Sequence, residues 1–111
     1  MYKPSKHYAT FNVRGMQFSD SALAISSLNV GDKLKLIPEF DNPFDAQAIA
    51  VYTGKLKLGY IPRETNEILS MFMYYGYEDA FTCRILAIDL TKHPARQITA
   101  AIYLKDARKS K

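Results

Sequence analysis

Ala48-Ile49-Ala50-Val51-Tyr52-Thr53-Gly54-Lys55-Leu56-Lys57-Leu58-Gly59-Tyr60-Ile61-Pro62 reads as two short strands joined by a tight turn. Ala48–Tyr52 is one arm, Lys55–Ile61 the other, and Thr53-Gly54 supplies the hairpin connection. On the second arm Leu56 and Leu58 face inward while Lys55 and Lys57 face water. The same period of two recurs outward along the chain. Phe11 and Val13 alternate with Thr10, Asn12 and Arg14 over Ala9–Arg14, and Leu34 and Leu36 alternate with lysines over Lys33–Ile37. Two further strands are predicted at about Ala80–Leu90 and Arg96–Leu104, with a turn at Lys92-His93-Pro94.

The period changes after Pro62. Pro62 suits a first helical turn, Glu64 and Glu67 suit the positive end of a helix dipole, and Gly76 suits the position just past the end. Ile68, Leu69, Phe72 and Tyr75 recur at helical spacing between them. One amphipathic helix over 63–75, packed on the strands, is therefore expected. Ala22-Leu23-Ala24-Ile25 within 18–28 fits either a helical turn or a bulged connection. The pattern as a whole describes a mostly β (α+β) chain: a small barrel or sandwich of about six strands with one helix. Tyr74, Tyr75 and Tyr77 are read as anchors of that helix in the core, with a second stacking surface as the alternative.

Composition sets the bounds. The chain has 111 residues, 48% hydrophobic and 23% charged, which fits one folded domain over 1–111 with a core of about 8–104. The longest uncharged stretch, Ile68–Tyr77, is about half of the ~20 residues a membrane span needs. No apolar run follows Lys3, so no secretory signal is expected, and the lone Cys83 has no internal disulfide partner. A cytoplasmic protein is the expectation. The net charge of +4 is concentrated at the ends, residues 1–14 and 105–111 carrying +3 each around basic tails at 1–7 and 105–111, whereas residues 15–104 carry eight basic and ten acidic groups. Net charge alone does not establish a polyanion partner.

The inventory for chemistry is short. His7, His93 and Cys83 stand at no metal-ligand spacing, and no glycine-rich phosphate loop or activated-serine motif is present. Cys83 falls on the apolar alternation between Phe81 and Ile85, a core position. No catalytic activity and no cofactor are expected. Glu39, Asp41 and Asp45 are the sole candidates for a metal-dependent hydrolase.

Pro38-Glu39-Phe40-Asp41-Asn42-Pro43-Phe44-Asp45 interrupts two strands with turn formers and two aromatics. Asn42 must be extended before Pro43, and Asp41 and Asp45 can accept from neighbouring amides. Phe40 is expected to plug the barrel. Phe44, flanked by Pro43 and Asp45, is harder to bury.

These blocks resemble the HIRAN domain family. The pieces are Val13-Arg14-Gly15-Met16-Gln17-Phe18, Val30-Gly31-Asp32-Lys33-Leu34-Lys35-Leu36, Glu39-Phe40-Asp41-Asn42-Pro43-Phe44-Asp45 running on through Ala46-Gln47-Ala48-Ile49-Ala50-Val51, and Leu58-Gly59-Tyr60-Ile61-Pro62-Arg63. The resemblance covers about Tyr8–Tyr103. It implies an OB-like barrel and a non-catalytic module that binds single-stranded DNA, at a free 3′-hydroxyl end in the best understood members. It assigns Phe18 and Phe44 as platforms for terminal bases and Asp45 as acceptor of the 3′-hydroxyl. Asn42 shapes the pocket, and Arg63 meets a backbone phosphate with Tyr60 beside it. Gln17 stands where some members carry a basic residue, and Glu39, Asp41 and Asp45 add negative charge, so weaker binding is expected, helped by Arg14, Lys55 and Lys57. A helicase or repair protein is the partner such a role implies. The alternative is an adaptor that takes a peptide in the same aromatic groove.

Overall fold

The computed structural model describes residues 5–15 and 25–105. Its strands are β1 (Ser5–Asn12), β2 (Lys33–Pro38), β3 (Ile49–Thr53), β4 (Leu56–Tyr60), β5 (Phe81–Ile88) and β6 (Ile98–Lys105), with helix α1 (Arg63–Tyr74) between β4 and β5. β1 and β6 reach into segments expected as tails, pairing Ser5 with Lys105. The strands form one antiparallel sheet in the order β1-β6-β5-β2-β3-β4. Irregular register at His7/Ala9, Val51/Tyr52 and Ile85/Ala87 interrupts the ladders. Such bulges bend and twist a sheet.

Its edges are drawn together just past β1. Val13 N still donates to Ile98 O of β6 at 3.0 Å, and one residue later Arg14 pairs with Tyr60 of β4, N to O at 2.9 and 2.7 Å. The sheet is thereby curled into a partly open OB-like barrel. This closure depends on Gly59: a Cβ there would lie on the Arg14 carbonyl oxygen and 2.9 Å from Val13 Cγ1. The inward residues of the alternating strands fill the interior. Phe11, Val13, Leu34, Ile49, Val51, Leu58, Cys83, Ile85, Ile98 and Ile102 are all buried. The β3–β4 turn falls on Gly54-Lys55, one residue beyond the expected Thr53-Gly54.

Helix α1 ends as its sequence dictates. Gly76 takes a φ of 87° while its N–H bonds Met73 O and the Tyr77 N–H bonds Phe72 O, a Schellman closure. Pro62 sits at the cap rather than inside the first turn. The phase of the helix departs from expectation. Asn66, Leu69, Ser70 and Met73 face inward, whereas Ile68, Phe72 and Tyr75 are exposed. The rotation follows from Asn66, whose side chain is hydrogen-bonded to Asp45 in the β2–β3 connection and so turns its face of the helix to the barrel. The tyrosines expected to anchor the core stand in solvent, Tyr74, Tyr75 and Tyr77 being 59–70% exposed. Phe40 also leaves the interior: its ring lies edge-on against Tyr74, 5.2 Å between centroids.

Candidate nucleic-acid interface

The β2–β3 connection is held by its own side chains. Asn42 Oδ1 accepts from Phe44 N (2.8 Å) and Asp45 N (3.2 Å), and Asp45 Oδ1 accepts from Gln47 N (2.9 Å). Asn42 N–H bonds Glu39 O and Ala48 N–H bonds Asp45 O, closing the loop at both ends. Phe44 is thereby displayed at the tip, 86% exposed. Asn42 does the bonding work expected of Asp41, because its amide oxygen reaches two successive N–H groups after Pro43.

Beneath the loop lies a partly buried polar cluster. Glu39 accepts from Lys57 Nζ (2.7 Å), Tyr60 Oη (2.8 Å) and Asn42 Nδ2 (3.1 Å), and the Lys57 ammonium stands 5.0 Å from the Tyr60 ring centre. Lys57, expected in water, is committed to this cluster and is not a free phosphate contact. Glu39, expected to crowd the pocket with charge, is neutralised by it. Burial alone would raise the Glu39 carboxyl, but the hydrogen bonds from Lys57, Tyr60 and Asn42 outweigh it and hold the group below its ordinary 4.5. The hydrogen bond to Glu39 holds Lys57 above its ordinary 10.5, against the opposing effect of burial.

A depressed carboxyl contributes stability above its unfolded value and loses it as the pH falls through the folded one. A raised ammonium contributes below its unfolded value and loses it as the pH rises through the folded one. The loop is therefore expected to keep its structure from about pH 5 to 10 and to loosen below pH 4.5. Glu39→Gln should remove that acid limb and cost about 2 kcal/mol at pH 7, leaving Lys57 partly buried without its counter-charge. Melting temperatures of both forms across pH 3–9 measure this; a Glu39→Gln profile parallel to the wild type's would refute it.

Next to Phe44 a groove of about 560 Å³ opens between the loop, β4 and the start of α1. Ala48 and Ile61 give it an apolar floor, and Arg14, Asn42, Asp45, Tyr60 and Arg63 line it. Arg63 donates from its guanidinium to Phe44 O at 3.0 Å and places Nε 3.7 Å from Asp45 Oδ2. With five N–H donors, it retains several for a ligand. Asp45 Oδ2 also accepts from Asn66 Nδ2 at 3.1 Å. A carboxylate has about four lone-pair sites, so further acceptor capacity remains. The structure thus brings Asn42, Phe44, Asp45, Tyr60 and Arg63 to one groove. Gln17 and Phe18 lie outside the described residues.

Sequence reasoning missed Asn66, which ties α1 to the loop. Its signal is a polar residue sharing a helical face with Leu69 and Met73. Cys83 occupies the core as expected, its thiol pushed up to about 12 by burial, so it offers no thiolate near neutrality.

The HIRAN domain family profile matches residues 7–105. The chain belongs to the HIRAN domain family. Solved structures agree on the fold of this HIRAN domain. A protein from Lactobacillus plantarum superposes with a TM-score of 0.78 at 24% identity, covering 95% of this chain and 99% of that one. The HIRAN domain of human HLTF superposes with a TM-score of 0.63 at 15% identity, covering 91% of this chain and 78% of that one. Among curated protein sequences, none matches.

Proposed function

We propose that this HIRAN domain binds single-stranded DNA at a free 3′-hydroxyl end without catalysing a reaction on it. The observation that carries the reading is Phe44, an 86% exposed ring held on a fixed loop beside a carboxylate and a guanidinium. Membership of a family whose domains bind DNA supports it. The terminal base stacks on Phe44, with Phe18 as its second proposed platform. Base–aromatic stacking contributes about 1–3 kcal/mol per base whatever the sequence. Asp45 accepts from the 3′-hydroxyl through its remaining lone pairs. Arg63 meets the adjoining phosphate while its bond to Phe44 O aligns the two. Tyr60 contributes its ring, its hydroxyl being given to Glu39.

An oligonucleotide ending in a 3′-phosphate places a dianion against Asp45 and offers no hydroxyl at that position. It should bind about tenfold more weakly than the same strand with a free 3′-hydroxyl, by fluorescence anisotropy at fixed salt. Equal affinities would remove end recognition. A peptide docked in the same groove would be nearly insensitive to salt, whereas phosphate contacts weaken steeply as salt rises.

A further inference from the structure

A second cleft, of about 670 Å³, is lined by Asn12, Arg14, Lys92, His93, Ala95 and Arg96. Arg14 lines this cleft and the Phe44 groove alike, so the two are adjacent. Their chemistry differs: the first groove has an exposed ring and an apolar floor, while the second has basic side chains and neither Phe nor Tyr.

Lys92, His93 and Arg96 come from the β5–β6 connection, which is braced without the Lys92 and Arg96 side chains. Asp89 N–H bonds Gln97 O (2.8 Å), Asp89 Oδ1 accepts from Thr91 N (3.1 Å), and Gln97 Nε2 donates to Lys92 O (3.1 Å). His93 Nδ1 accepts from Ala95 N at 3.1 Å, so the neutral ring carries its proton on Nε2 and offers a donor. Neither Lys92 nor Arg96 makes a salt bridge among the described residues, and both are exposed. The carboxylate on this connection, Asp89, is turned back onto Thr91. Among the described residues the Arg14 guanidinium is held by an exposed 3.4 Å pair with Glu64, which an incoming phosphate can replace. Lys92, which acts on Asp89 only through its charge and not through a close ion pair, and Arg96 stand on a fixed frame with no ring to stack a base, and so suit an extended polyanion.

We infer that this cleft is a phosphate track: a strand whose 3′ nucleotide occupies the Phe44 groove runs back past Arg14 and lays its backbone along Lys92, His93 and Arg96. This rests on the end-binding reading and adds to it a direction and a minimum strand length. Contacts here are to the backbone, so they are sequence-independent and salt-sensitive.

The experiment measures dissociation constants of the full chain for thymidylate oligomers of three and nine nucleotides, both with a free 3′-hydroxyl, at several salt concentrations. The proteins are the wild type, Lys92→Gln/Arg96→Gln and Phe44→Ala, whose substituted side chains are all exposed. The wild type should bind the nine-mer more tightly than the trimer. The double variant should bind the trimer as the wild type does and lose about fivefold on the nine-mer, with a salt slope shallower by about 1.4, two phosphates on a single strand. A double variant that binds the nine-mer with wild-type affinity and slope overturns the track. Phe44→Ala should lose both oligomers; if it loses neither while the double variant loses the nine-mer, the end pocket fails and the basic cleft stands.

Discussion

Replacing Phe44 with alanine should weaken binding of a free-ended single strand by one to two orders of magnitude and leave the melting temperature unchanged. The two halves of that result have separate causes. Removing the ring deletes a stacking platform worth about 1–3 kcal/mol per base. Stability is spared because the side chain is 86% exposed and contributes nothing to the core. The loop is retained too: the bonds from Asn42 Oδ1 to Phe44 N, and from Arg63 to Phe44 O, use only the backbone of that residue. Phe44→Tyr keeps the ring and should bind like the wild type. Anisotropy titrations paired with thermal melts check this, and a weakly binding variant that also melts early would mean that the ring is structural.

Gly59→Ala is the opposite experiment, in which stability is lost first. The added methyl would lie on the Arg14 carbonyl oxygen and against Val13, which is fully buried. The backbone cannot give way cheaply, because Arg14 and Tyr60 exchange both of their hydrogen bonds at this crossing. Forced over-packing of a core costs about 1–3 kcal/mol, and a clash with backbone belongs at the upper end. For a chain of this length that is a melting temperature lower by about 15 °C. DNA binding should fall with it, since Arg14 and Tyr60 line the groove on either side of the closure. A variant melting within ~3 °C of the wild type would show that the β1–β4 crossing is not needed for the fold.

The features legible in the sequence are those fixed by near neighbours. The 49–60 hairpin follows from two alternating runs around a turn, and Gly76 ends α1 where a left-handed residue is needed. The Asn42–Asp45 loop follows from Asn42, Pro43 and Asp45 within four residues. Partners distant in sequence were not legible. Lys57 alternates with leucines like a solvated strand lysine, yet Glu39, 18 residues away, draws it under the loop. Ile68, Phe72 and Tyr75 repeat like a buried stripe, yet the Asn66–Asp45 bond across 21 residues turns them outward. Phe40 is apolar enough for the interior, but its ring packs on Tyr74 at the surface. In each case a single long-range polar or aromatic contact overrides a local pattern. The candidate site was not readable from local pattern: the roles of Asn42, Phe44, Asp45, Tyr60 and Arg63 come from the resemblance to the HIRAN family, and the structure adds that these five line one groove.

The most direct test is a titration of the 15N-labelled chain with a short single strand bearing a free 3′-hydroxyl, repeated with its 3′-phosphorylated counterpart. The amides of Phe44, Asp45 and Arg63 should shift first and furthest with the hydroxyl-ended strand, and need about tenfold more of the phosphorylated one. Shifts of equal size and midpoint for both strands, or shifts confined to the exposed face of α1 at Ile68, Phe72 and Tyr75, would contradict a DNA-end site at Phe44.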